Sequence, residues 1–380
     1  MQILKYFFFP DDIDRNQYVK ASSMARILLC IILLHRHIDL LIGSPIGYLN
    51  FKTLIVAIFS CLSVLFGFLS PISILVLARV DSLLLPNLNT NILNISFLSL
   101  FLSNCWMFYS IDFLLIKKFS FYRKFIFYAN QITLNIRTIR TITLFLWGGV
   151  YFRGMFLHLY NDAWINGTAV FSILRTGFYS DFSGFFSDLE DPFLMIFSKI
   201  STYGMLAWEG FLWCLPGFKL LRRIVFWWGL LFFLSAIVIM NIEYAAFTQI
   251  ILWTLIYNPK TFLFNSKNKV QDTSILEIQT IKNKYQKSIF RFIKICLNLG
   301  FIWSFFVVNS LSVLIKSAKD ENIKNALISF SENKYISSIE KHISYQIFGQ
   351  GPIDVFNENI EQSRFNIVAC RILKDGSKEL

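Results

Sequence analysis

The sequence predicts an all-α polytopic membrane protein: a bundle of about eight or nine transmembrane helices with a small α/β extracytoplasmic C-terminal tail. Three observations predict it. Of the 380 residues, 55% are hydrophobic and 16% charged, against about 45–50% apolar and about 25% charged in soluble domains. Several stretches approach the roughly 20 mostly apolar residues that a bilayer crossing needs. Basic clusters alternate along the chain with acidic ones, as cytoplasmic and outer loops do. This composition excludes an ordinary soluble enzyme, a disordered chain and a nucleic-acid-binding domain. The net charge of +12 reads as basic cytoplasmic loops, with no nucleic-acid partner.

Residues 1–21 form a cytoplasmic N-terminal segment, and Lys5, Arg15, Lys20 and Arg26 precede or open the first span. The start is too short and too acidic for a cleavable signal, so the first helix is expected to act as an uncleaved insertion signal. Spans are expected near 22–42, 51–69, 71–85, 92–115, 138–160, 193–216, 223–240, 241–258 and 290–315. Arg79 and Asp81 interrupt the third. The run from Arg222 to Tyr257 is too long for one span and holds Asn241 and Glu243 at its middle. Two helices fit it better, because a charge at the bilayer centre costs at least a few kcal/mol.

Nine crossings with the N-terminus inside place three basic clusters in the cytoplasm: Lys117, Lys118, Arg123 and Lys124; Lys219, Arg222 and Arg223; and residues 260–287. The same count puts Asp162, Asp181, Asp188, Glu190 and Asp191 outside. The units are then a bundle over 22–265, a basic cytoplasmic loop over 266–289, a last span over 290–315 and an extracytoplasmic tail over 316–380. In the tail, 316–345 read as helix, Phe365–Cys370 as a strand and Asp375-Gly376 as a tight turn. Six cysteines, five of them in apolar stretches, contain no CxxC pair. They read as small buried thiols with no disulfide framework and no metal site.

Ionisable residues inside apolar segments are the informative ones, because hydrocarbon offers them no hydrogen bonds. In the first span His35 and Asp39 are one turn apart and share a face, which suits an ion pair. His35 and His37 lie about 200° apart on a helix and cannot chelate one metal together. The fifth span aligns Trp147, Tyr151, Gly154 and His158 on one stripe, while Arg153 points elsewhere. Gly154 would let another helix come close. His158 could act as a base, or simply be an interfacial histidine held by hydrogen bonds. Glu209, in Trp208-Glu209-Gly210, must be protonated, paired or solvated by a cavity. Glu243 and Arg153 are lesser candidates, with a helix–helix ion pair as the simpler reading. Asn166-Gly167-Thr168 matches a glycosylation sequon by chance. No phosphate-binding glycine loop, HExxH motif or serine-hydrolase triad occurs.

The stretch from Tyr151 to Val170, YFRGMFLHLYNDAWINGTAV, resembles the core of the HTTM family, the membrane domain shared with vitamin K-dependent gamma-carboxylase, and its sporulation-delaying protein B branch. Gly154, Trp164, Gly167, Thr168 and Ala169 match the family pattern of a Gly-bearing aromatic helix, a Trp and a Gly-Thr-Ala-like turn. Glu209 falls on the following helix, where members often bear an acid. Ser110-Ile111-Asp112 looks like the family's Ser-x-Asp element, and Phe348–Pro352 with the tail resembles its extracytoplasmic segment. His158 stands where carboxylase-type members carry a lysine that deprotonates the quinol, and their large luminal domain is missing. The resemblance implies a multi-pass protein of the bacterial cell membrane, with its C-terminus outside, that helps mature or export a secreted toxic peptide alongside accessory maturation proteins. It also implies a catalytic set of His158, Glu209 and Arg153. Tyr151, Gly154, Trp164, Gly167 and Thr168 would then face a quinone-like or lipid ligand. The rival readings are a non-catalytic scaffold or immunity-type binder, which would depend on loops 161–192 and 345–380, and a transporter, for which no internal repeat speaks.

Overall fold

The computed structural model describes residues 15–43, 51–84, 88–131, 134–175, 180, 182–188, 191–239, 243–256, 284–302, 314, 315, 318 and 320–332. Among these the chain is all-helical, without a strand. The longer helices are α1 (Arg15–Gly43), α2 (Phe51–Phe66), α3 (Ser70–Leu84), α4 (Leu88–Leu102), α5 (Ile111–Lys118), α6 (Ser120–Gln131) and α7 (Ile136–His158). Three short helices follow: α8 (Asp162–Ile165), α9 (Ala169–Arg175) and α10 (Ser183–Asp188). Then come α11 (Asp191–Phe211), α12 (Lys219–Ile239), α13 (Glu243–Ile256), α14 (Lys284–Ile302) and α15 (Glu321–Glu332). The proposed strand at 365–370 and turn at 375–376 lie outside the described residues, as do Asn241 and Phe348–Pro352. Among the described residues one helix, Leu221–Ile239, is long and apolar enough to cross a membrane, with Phe51–Phe66 and Asn91–Leu102 apolar but shorter.

Two expected segments differ in their course. The span expected over 92–115 is not one helix. It stops at Leu102, makes a 3₁₀ turn at Cys105–Met107 and restarts at Ile111. Asn104 (φ 59°) and Tyr109 (φ 52°) both sit in the left-handed region, which an α-helix of L-residues cannot include without a break. The sixth segment, expected to 216, ends as a helix at Phe211 and closes in a 3₁₀ turn at Leu215–Gly217. Arg222 fastens that turn, its Nε donating to Pro216 O at 2.7 Å and its Nη2 to Gly217 O at 3.2 Å. By contrast α3 runs unbroken through Arg79 and Asp81. Asp81 is fully buried but paired with Arg36 at 3.2 Å and His37 at 3.1 Å from α1, which removes the reason for a helix to stop there.

Helix α2 packs between α1 and α3, and α13 lies against α1, α4, α7 and α12. The C-terminal carbonyls of α13 would otherwise lack partners. Tyr18 OH donates to Leu255 O at 3.0 Å and Arg140 Nε to Ile256 O at 2.6 Å, and the Arg140 charge also suits a helix C-terminus. A second fastening joins the α2–α3 turn to the start of α5. Gly67 (φ 66°) and Leu69 (φ 49°) turn the chain. Asp112 then accepts from Leu69 N at 2.7 Å, Ser70 N at 2.8 Å and the Tyr122 hydroxyl, while its own N–H donates to Gly67 O at 2.7 Å. Gly67 is required twice over: by its positive φ, and because a Cβ there would lie 2.3 Å from Ser110 Cβ. Ser110 caps α5 by accepting from Phe113 N at 3.1 Å.

Candidate active site

Helices α7 and α11 pack against each other and run antiparallel. Side chains on a helix lean toward its N-terminus. His158, at the end of α7, therefore reaches back along its helix, and Glu209 reaches the opposite way along α11. The two meet with Nε2 and Oε2 3.8 Å apart, both side chains about 95% buried. That distance is longer than a hydrogen bond, and Glu209 Oε2 has no hydrogen-bond partner. An isolated buried carboxylate is prohibitively costly. With one proton between them the pair is electrically neutral in either form, as carboxyl and imidazole or as carboxylate and imidazolium.

The imidazole is covered on one face by Trp164, stacked at 3.8 Å between centroids and 16° between planes. Trp164 belongs to α8, a single turn that Asn161 caps by accepting from Ala163 N at 2.9 Å. The chain then folds back at Gly167, whose φ of +74° excludes an ordinary side chain, and where a Cβ would press within 3.2 Å of Lys199 Cα. Thr168 sends both its N–H (2.7 Å) and its hydroxyl (3.3 Å) to Ala163 O. Gly167 and Thr168 thus shape the turn that holds Trp164 over His158.

Three residues that fix this turn were not singled out by the sequence reading. Ser198 donates to Gly167 O at 2.8 Å and accepts from Phe171 N at 2.8 Å. Thr202 bridges Gly167 O and Val170 N at 3.4 and 3.3 Å. Tyr203 OH donates to Ile165 O at 2.9 Å. Ser198 and Thr202 thereby satisfy the open N–H groups at the start of α9. The signal was present: Ser198, Thr202 and Glu209 fall at spacings of four and seven and share one face of α11.

Below the pair, Tyr151 packs edge-on against Trp208 at 5.0 Å, and Trp147 against Trp253 at 5.4 Å. Trp147 Nε1 donates to Gln249 Oε1 of α13. The Trp208 indole N–H is buried and has no hydrogen-bond partner. Gly154 is not a close-approach residue as expected. It is buried, yet a methyl group there would meet no atom of a neighbouring element within 4 Å, which marks a gap beside the pair. The close approach is at Gly148, where a Cβ would fall 2.2 Å from Trp213 Cα. Arg153 is buried on α7, about 140° around an ideal helix from His158, so it opens onto a different face. The structure thus gathers His158, Glu209, Trp164, Gly167 and Thr168 at one place, with Tyr151 and Gly154 one to two turns below.

His35 and Asp39 do pair, at 2.8 Å on the exposed edge of α1, and Tyr244 joins both. Among the described residues no group of three or more His, Cys, Asp or Glu side chains is arranged to hold a metal ion. No protein-family model, no curated protein and no solved structure matches the chain.

Proposed function

We propose that this chain is a multi-pass membrane protein of the HTTM kind, in the bacterial cell membrane, that assists maturation of a secreted peptide through proton transfer at His158 and Glu209. The observation that carries the chemical half is the buried pair itself: an imidazole and a carboxyl 3.8 Å apart, with Oε2 lacking a hydrogen bond and an unfilled space beside Gly154. A site that only stabilised the fold would close that distance and satisfy that atom. His158 takes a proton as Glu209 gives up its own, so the pair stays neutral and no lone charge is left buried. Trp164 excludes water from one face of the base.

The gap at Gly154 and the aromatic wall of Tyr151 and Trp208 are apolar surfaces suited to a quinone-like or lipid ligand. A quinol would supply the acidic O–H within reach of such a base. The membrane half rests on outward-facing apolar stripes. On α12, Ile224, Trp227, Leu231, Leu234 and Val238 repeat at helical spacing and are 46–64% exposed. On α11, Phe193, Ile196 and Ile200 are 62–69% exposed. Continuous stripes of this kind suit lipid and not water.

Two experiments test the reading. Membranes carrying the chain should retain it through alkaline carbonate extraction; release into the supernatant removes the membrane claim. In host cells, H158A and E209Q should abolish the mature peptide in the medium, read by mass spectrometry, at unchanged levels of the membrane protein. Wild-type peptide yield from H158A removes the catalytic claim and leaves the scaffold reading. That alternative draws on exposed Leu159, Tyr160, Ile165 and Phe185, an apolar outer surface that could hold a peptide without chemistry.

A further inference from the structure

A second cluster lies between α1, α2 and α3, apart from the His158 pair. Cys30 and Cys61 are both reduced and fully buried. The Cys61 thiol donates to Cys30 O at 3.1 Å and lies within side-chain contact of both the Cys30 thiol and the His37 ring. His37 is itself fully buried. Its Nε2 faces Asp81 Oδ1 at 3.1 Å, and Arg36 holds the same carboxylate at 3.2 Å. With the ring proton on Nε2 toward Asp81, Nδ1 keeps its lone pair, and Nδ1 is buried without a hydrogen-bond partner. A carboxylate on Nε2 therefore leaves Nδ1 as the basic nitrogen of an imidazole that neighbours the Cys61 thiol, and that thiol neighbours the Cys30 thiol. A purely structural staple between α1 and α3 needs His37 and Asp81 but neither sulfur.

We propose that Cys30 and Cys61 form a redox-active dithiol in which His37 is the base for Cys61, and that its oxidant is a small lipid-soluble quinone. Burial of both sulfurs excludes water-borne oxidants, and the outer faces of the helices that hold them are apolar, with Leu28, Ile31, Val56 and Phe59 exposed. In the reaction His37 Nδ1 takes the Cys61 proton and the thiolate bonds to the quinone. The Cys30 thiol then attacks the Cys61 sulfur and loses its own proton, and the sulfur–quinone bond breaks with its electron pair leaving on the quinol. Two S–H bonds break, one S–S bond forms, and the two electrons and two protons leave as quinol. The inference is independent of the His158 reading and rests on the membrane half of the proposed function.

The test uses the full chain in its own membranes. Duroquinone, which is fully substituted and cannot arylate thiols permanently, is compared with tetrathionate, an aqueous oxidant. After quenching, denaturation and alkylation, peptides are mapped by mass spectrometry. The expected result is a Cys30–Cys61 cross-link with duroquinone, at least about tenfold slower with tetrathionate. C30S and C61S should lack it, and H37Q should form it about tenfold more slowly or less. Because the wild-type cross-link is itself the primary readout, a poorly folded H37Q does not decide the matter. Cys30 and Cys61 both fully alkylated after duroquinone would overturn the proposal, as would Cys61 joined to any other cysteine. Equal rates with the two oxidants would overturn the quinone assignment. A folded H37Q oxidised at the wild-type rate would overturn the role of His37.

Discussion

Asp112 and Glu209 are both buried carboxyls in apolar surroundings, and the protein treats them in opposite ways. Asp112 accepts two backbone N–H groups at 2.7 and 2.8 Å and a tyrosine hydroxyl. Its surroundings are closed, down to a glycine that leaves no room for a Cβ. Glu209 has a partner at 3.8 Å, an oxygen without a hydrogen bond and a nearby glycine facing empty space. A satisfied network rigidifies and specifies a fold, whereas a buried polar atom left unsatisfied calls for another explanation, a catalytic role among them. The contrast separates the residue that holds helices together from the residue proposed to react.

Substitutions sharpen that contrast, beginning with the largest effect. D112A leaves Ser70 N and the Tyr122 hydroxyl without their acceptor, and Leu69 N with only the Tyr122 oxygen at 3.1 Å. It should cost about 3 kcal/mol or more, seen as a large drop in the detergent melting temperature. E209Q should do the reverse: a stability change under about 1 kcal/mol, but loss of peptide maturation by about 10²-fold or more. Equal destabilisation by the two would erase the distinction. G167A forces a side chain into a left-handed turn and against Lys199. It should cost about 1–2 kcal/mol and free Trp164 from His158, measurable as a change in tryptophan emission. G154A should stabilise α7 by about 0.5–1 kcal/mol while lowering maturation, because the methyl fills the gap proposed to take the ligand. Y122F should cost about 1 kcal/mol and leave maturation unchanged. Burial and the hydrogen bond to Asp112 raise the Tyr122 phenol above its ordinary value. That contribution is fully present below the ordinary phenol pKa of about 10 and is lost only as pH rises through the higher folded value. The stability gap between Y122F and wild type should therefore be flat from neutral to mildly alkaline pH.

Hydrophobic runs made most of the helices legible, since a run of about 20 apolar residues has few alternatives to a helix. The break after Leu102 was not legible. Its left-handed residues are Asn104 and Tyr109, and tyrosine gives no local sign of that conformation. For the site, a histidine and a glutamate inside apolar segments announced themselves by their cost of burial. Their contact did not, because it depends on the register of α7 against α11, which no local pattern encodes. His35 with Asp39 was readable as an i, i+4 pair. His37 with Asp81 was not, because the partners lie 44 residues apart and one of them looked like an interruption of its own helix. Ser198 and Thr202 were missed although their spacing with Glu209 was in plain view, because small hydroxyl residues in apolar helices usually bond back to their own helix.

The most direct measurement is infrared difference spectroscopy on the full chain in membranes, with the Glu209 carboxyl band identified by its loss in E209Q. If one proton is held between Glu209 and His158, replacing His158 by Asn must move or abolish that band. A Glu209 band that is unchanged in frequency and intensity in H158N would mean that the two groups do not exchange a proton.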